Sequence, residues 1–193
     1  MKDATTGGGG RAAEAITRAK AVRLLLLDVD GVLTDGRLFL SDSGEEFKAF
    51  HSRDGHGIKM LIASGVRVGL VTGRTSRVVQ RRADDLGITL LVQGCHDKRA
   101  AVNRLLADEA LAAAEAAFMG DDVIDLPAME AVGLAIAVAD AHPLVRSRAH
   151  WVTEQKGGCG AVRELCELIM RAHGTLDAQL GRAYQGECSW AGG

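Results

Sequence analysis

The chain has 193 residues, 47% of them hydrophobic, and a formal net charge of −2. That length suits one domain with a full core, and the charge excludes a bulk attraction to nucleic acid or to an anionic membrane surface. No apolar run approaches the roughly 18 to 20 residues that span a bilayer, and Met1 to Lys20 lacks the apolar centre of a signal peptide; a cytoplasmic protein is expected, with neither nucleic acid nor membrane as a partner.

In chain order, Thr5 to Gly10 is glycine-rich and reads as flexible, within an N-terminal extension of residues 1–20 whose Arg11 to Lys20 suits a short helix. Leu24 to Leu27 then reads as a fully buried strand, and it runs into Asp28-Val29-Asp30-Gly31-Val32-Leu33-Thr34. Gly36 to Leu40 and Glu46 to Phe50 flank Ser41-Asp42-Ser43-Gly44-Glu45 and predict a β-hairpin. From Asp54 the period becomes helical, with Gly65 as a stop; Val66 to Val71 is a second strand ending in Thr72-Gly73-Arg74. Arg77 to Leu86 predicts a helix stopped by Gly87, Thr89 to Val92 a strand, and Asp97 to Leu111 a helix. Ala116 to Met119 is a strand that ends at Gly120-Asp121-Asp122, and Ile124 to Val132 a short helix. Leu134 to Val138, a connection over Pro143 to Arg148, and His150 to Thr153 follow, then an amphipathic helix over Ala161 to His173. The tail from Gly174 to Gly193 is expected to be poorly ordered.

Strands alternating with helices predict an α/β, Rossmann-like three-layer fold with a central parallel sheet, a small hairpin insertion over residues 36–50 and no cap domain. The cysteines Cys95, Cys159, Cys166 and Cys188 have neither C-x-x-C spacing nor a disulfide pattern, so reduced thiols are expected, with Cys159 and Cys166 packed on one helix.

Three strands end in polar clusters: Asp28/Asp30, Thr72/Arg74 and Asp121/Asp122. In a parallel sheet those ends share one edge. Carboxylate oxygens from two strands suit Mg²⁺, whose octahedral shell waters and a substrate phosphate would complete. Asp28 can then act as a nucleophile, Asp30 as general acid and base, Thr72 as a donor to a phosphoryl oxygen, and Lys98 as a point charge on the transferring group. Taken singly, each group has a plainer reading. Asp28 and Asp30 can be turn formers, Asp121-Asp122 a helix cap, Lys98 a surface lysine, Thr72-Gly73-Arg74 a turn, and Asp125 a cap or a loop-orienting residue. His56 and His142 read as structural or exposed.

Together, Asp28-Val29-Asp30-Gly31-Val32-Leu33-Thr34, Thr72-Gly73-Arg74, Lys98 and Gly120-Asp121-Asp122 stand in the order and spacing of the haloacid dehalogenase superfamily of phosphatases, which the chain resembles. The resemblance implies Asp28 as nucleophile and Asp30 as acid/base. It places Mg²⁺ on Asp28, the main-chain carbonyl of Asp30 and Asp121, with Asp122 nearby, and the phosphoryl group on Thr72 and Lys98. Gly44-Glu45-Glu46-Phe47-Lys48-Ala49-Phe50, Arg53-Asp54-Gly55-His56-Gly57, Val138-Ala139-Asp140-Ala141-His142-Pro143 and Gly157-Gly158-Cys159-Gly160-Ala161-Val162-Arg163-Glu164 further resemble the capless 3-deoxy-D-manno-octulosonate 8-phosphate phosphatase family, over about Val22 to Thr175.

That resemblance implies a phosphatase domain over residues 21–175, a tail over 176–193, an acidic eight-carbon sugar phosphate as substrate on the route to lipopolysaccharide, and a homotetramer assembled through the hairpin. A substrate carboxylate calls for another cation, and Arg53, Arg74 and Arg82, beside Gly73, are the candidates; Arg81 and Arg82 alone would read as a solvated face. The competing expectations are a nonulosonate 9-phosphate phosphatase and a non-catalytic oligomeric scaffold.

Overall fold

The computed structural model describes residues 8–185. Its centre is a six-stranded, all-parallel sheet, in the order β5-β4-β1-β6-β7-β8. The strands are β1 (Leu24–Leu27), β4 (Arg67–Val71), β5 (Leu90–Val92), β6 (Ala116–Gly120), β7 (Leu134–Ala137) and β8 (Trp151–Val152). All four leucines of β1 are fully buried, because helices cover both faces of the sheet. Each such side chain contributes about 1.5–3 kcal/mol of burial.

The order reverses at β1: β4 and β5 lie to one side of it, and β6, β7 and β8 to the other. Right-handed crossovers therefore put α2 (Ser52–Ala63) and α3 (Arg77–Leu86) on one face, and α4 (Lys98–Asp108), α5 (Leu126–Met129) and α6 (Pro143–Arg148) on the opposite one. α7 (Ala161–Ala172) packs on α2. The carboxyl end of β1 is thus the switch point, where an open α/β sheet forms its ligand crevice.

Local signals explain several boundaries. α3 begins where the Ser76 hydroxyl accepts from the Val79 amide at 3.3 Å and stops at Gly87, whose φ of +74° closes the helix in the left-handed region. The hairpin is shorter than expected: only β2 (Phe39–Leu40) and β3 (Glu46–Phe47) pair, antiparallel and apart from the main sheet. No cap domain stands among the described residues.

Three expectations are corrected. Gly8 to Gly10, inside the stretch read as flexible, begins α1 (Gly8–Ala19), which packs on α7 through buried Ala15 and Ala19; residues 5–7 lie outside the described ones. The tail carries α8 (Leu176–Tyr184), seated on α7 by buried Leu176 and Gln179, where the Pro- and β-poor sequence lets packing decide. Cys159 is exposed on the loop before α7, whereas Cys166 is buried within it. Cys95, Cys159 and Cys166 are free, and Cys188 lies outside the described residues.

Candidate active site

Strand register gathers the polar clusters. Leu27 pairs with Leu70 on one side and with Met119 on the other. Asp28 therefore stands one residue beyond the paired row, with Thr72 and Asp121 a further residue along, just past the ends of β4 and β6. Asp28 and Thr72 are both buried, at 5% and 2% exposure.

Lys98, the first residue of α4, reaches into this cluster, and its helix is started by Asp97, whose carboxylate accepts from the Ala100 amide at 2.9 Å. Its ammonium lies 2.8 Å from Asp28 Oδ1 and 2.6 Å from Asp125 Oδ1. Burial opposes that charge, but the two carboxylates outweigh it and raise the Lys98 pKa. Asp125 is fully buried. Its Oδ2 accepts from the amides of Asp121 at 2.9 Å and Asp122 at 3.2 Å, which shapes the loop that presents Asp121.

Burial, then the repulsion of Asp125, push the Asp28 carboxyl up to about 6 against the pull of Lys98. Burial and the charges of Asp125, Asp28 and Asp122 push Asp121 up to about 8. Asp28, Asp121 and Asp125 offer oxygens within 4.8 Å of one another, and Asp121 Oδ1 is buried with no hydrogen-bond partner. An oxygen-only set with an orphaned carboxylate oxygen fits a hard divalent cation. Because both oxygens of Asp125 already accept protein donors, Asp28 and Asp121 are the better placed ligands, with Asp125 holding Lys98 and the loop. Asp122 is exposed and caps the turn over Val123–Asp125, accepting from the Val123 amide at 2.7 Å.

The loop after β1 fits by close backbone approach. Gly31 has φ +95°, and a Cβ there would lie 2.2 Å from Asp121 Oδ2. Gly157 backs it from the other side: a Cβ on Gly157 would sit 1.7 Å from the Gly31 carbonyl oxygen. The Gly158 amide donates to the Val32 carbonyl at 2.9 Å, the Gly157 amide to Asp140 Oδ1 at 3.0 Å, and buried Asp54 accepts from the amides of Gly160 and Arg163 at 3.2 and 2.8 Å. Gly157→Ala should therefore cost about 2–3 kcal/mol of stability and about 10²-fold in turnover, because the Asp30–Gly31 segment must move; thermal melts and steady-state kinetics would show both.

The remaining candidates divide. Thr72 Oγ1 accepts from the Arg74 amide at 3.3 Å, which leaves its proton free to donate. Gly73 follows in the turn, half-buried. Arg74 is exposed, with Nε 3.9 Å from Asp30 Oδ2. Arg53 is exposed on α2 and lines a cleft with Trp151, Cys159, Arg163 and Arg171. Arg82 lies over Phe50, 5.4 Å from the ring centroid, with Nε buried and unpartnered. Asp30 pairs through Oδ1 with Lys48, which also meets Glu46 Oε1 at 3.3 Å. Burial opposes ionisation of Glu46, but the Ser76 hydroxyl, donating at 2.5 Å, and the Lys48 charge hold its carboxyl below the usual range. The sequence reading gave no role to Glu46, Lys48 or Ser76. The strand alternation that turns Glu46 and Lys48 to one face and Phe47 to the other was the signal available. His142 is structural, its Nδ1 accepting from the Leu144 amide at 3.2 Å to cap α6.

A parallel sheet with a buried aspartate and lysine paired at its switch point fits a haloacid dehalogenase-like hydrolase, and the family model of that description matches residues 91–165. The chain is 49% identical over 175 residues to 3-deoxy-D-manno-octulosonate 8-phosphate phosphatase of Escherichia coli K12, covering 91% of this chain and 93% of that one. The crystal structure of the phosphatase of that name from Yersinia pestis superposes with a TM-score of 0.84 at 50% identity, over 85% of this chain and 89% of that one. The Moraxella catarrhalis phosphatase, solved with magnesium, phosphate and KDO, gives 0.86 at 38% identity, over 88% of this chain and 98% of that one. The chain belongs to the 3-deoxy-D-manno-octulosonate 8-phosphate phosphatase family.

Proposed function

We propose that this protein is a Mg²⁺-dependent phosphomonoester hydrolase that removes phosphate from 3-deoxy-D-manno-octulosonate 8-phosphate, on the route to lipopolysaccharide, as a cytoplasmic homotetramer. The observation that carries the chemistry is the buried Asp28 carboxylate, held on Oδ1 by Lys98 at 2.8 Å. The sugar follows from relatives of that activity at 49% identity.

Asp28 attacks phosphorus with its other oxygen, forming an aspartyl-phosphate as the bond from phosphorus to the sugar oxygen breaks. Asp30 gives its proton to that departing oxygen, then takes one from the water that attacks phosphorus and restores the Asp28 carboxylate. Thr72 and the Gly73 turn hold the phosphoryl oxygens, and the Lys98 ammonium neutralises charge as it develops. Mg²⁺, held by Asp28, the Asp30 carbonyl and Asp121, would offset the repulsion between Asp28 and the phosphoryl group. Arg74, beside Asp30, is the best placed of the three arginines for the sugar carboxylate, with Arg53 and Arg82 further candidates.

The tetramer is supported by the hairpin, where Leu38, Phe39, Leu40 and Phe47 are 47–64% exposed. The double variant Phe39→Ser, Phe47→Ser should elute as a smaller species in size-exclusion chromatography with light scattering; an unchanged mass would remove the hairpin from the interface. The function is tested by phosphate release from acidic eight- and nine-carbon and neutral sugar phosphates, with and without Mg²⁺. The eight-carbon substrate should have the highest kcat/KM, and faster release from the nine-carbon sugar would overturn the assignment.

A further inference from the structure

One buried cation has no part in the chemistry above. The Lys48 side chain, just past β3, is 1% exposed. An ammonium withdrawn from water is costly unless it is fully paired, and Lys48 is paired twice, with Asp30 Oδ1 and with Glu46 Oε1 at 3.3 Å. Glu46 in turn accepts from Arg74 at 3.5 Å, and Arg74 Nε closes the ring 3.9 Å from Asp30 Oδ2, too far for a hydrogen bond. Ser76 ties the ring to a rigid element: its hydroxyl donates to Glu46 Oε2 at 2.5 Å while its oxygen caps α3.

We propose that Lys48 is a positioning residue for Asp30, gripping Oδ1 so that Oδ2 is left oriented for proton exchange with the leaving oxygen and with water. The proposal rests on Asp30 as the general acid and base. Proton transfer demands a carboxylate fixed within hydrogen-bond reach of its target, and Asp30, 21% exposed on a loop, has Lys48 as its closest cation among the described residues, nearer than Arg74. The same strand sends Phe47 outward and Glu46 and Lys48 inward. The element with the exposed apolar face is therefore the one that orients the proton-transfer group.

The test compares two leaving groups in single-turnover kinetics: the octulosonate alcohol, which must be protonated, and para-nitrophenolate, which leaves without a proton. Lys48→Met should slow the first turnover of the sugar phosphate at least about tenfold with KM changed less than about threefold, while para-nitrophenolate release stays within about threefold of wild type. Asp30→Asn should show the same selectivity more strongly. Equal slowing of both esters by Asp30→Asn would remove the acid role of Asp30 and with it the proposal. If Asp30→Asn is selective, equal slowing by Lys48→Met, or a rise in KM alone, would overturn the Lys48 role by itself. Should Lys48→Met not fold, Glu46→Gln, which releases Lys48 from its other side, should give a leaving-group-selective loss of at least about threefold; an unchanged ratio would overturn the proposal.

Discussion

Asp28→Asn should lower phosphate release by more than about 10³-fold while the protein remains folded. The amide has nearly the shape of the carboxylate, but its oxygen is a poor nucleophile, so no covalent phosphoryl intermediate forms. The fold should tolerate the change for an electrostatic reason. Burial, then the repulsion of Asp125, holds the Asp28 carboxyl up at about 6, so removing its charge relieves that repulsion while Lys98 keeps Asp125 at 2.6 Å. Phosphate release and a thermal melt, measured together, separate the two effects. Activity within tenfold of wild type would exclude Asp28 as the nucleophile.

Chelation of divalent metal should likewise abolish turnover, with Mg²⁺ restoring it, and the stability of the metal-free protein should carry a pH signature. Asp28 and Asp121 have folded-state pKa values raised from 3.8 to about 6 and about 8. The folded form therefore keeps protons that the unfolded form has released. The resulting stability is fully present below about pH 4, and is lost as pH rises through about 6 and about 8. A cation that binds the ionised carboxylates reverses this. At 100 times its Kd it adds about 2.7 kcal/mol, or roughly 5–10 °C for a chain of this size. The Tm increment on adding Mg²⁺ should be larger at pH 8 than at pH 5. An equal increment at both would place the metal away from Asp28 and Asp121.

The elements legible in the sequence are those whose signals lie within a few residues. β1 is a run of leucines ending in acid, and α3 over Arg77 to Leu86 is stopped at Gly87, whose left-handed cap geometry the structure contains. The hairpin was visible as two segments around a Ser/Asp/Gly turn, but its pairing spans only two residues a side. α8 was missed because its helix depends on docking Leu176 and Gln179 against α7, and nothing local requires it. Asp125 was visible four residues after Asp121, yet whether it capped a helix or organised the site depended on where Lys98 arrived.

By itself, the sequence determined the parallel α/β architecture and the class of chemistry, because apolar periodicity, caps and the residues that close each strand are local properties. Tertiary structure alone decided three things. Register brought Asp28, Thr72 and Asp121 to one edge. Gly157 against Gly31, and Gly31 against Asp121, set the approach of two loops distant in sequence. The folding back of Lys48 onto Asp30 gave the hairpin a place beside the loop that follows β1. Each depends on contacts between segments far apart in the chain, which are fixed by packing and register, and no single stretch of residues carries them.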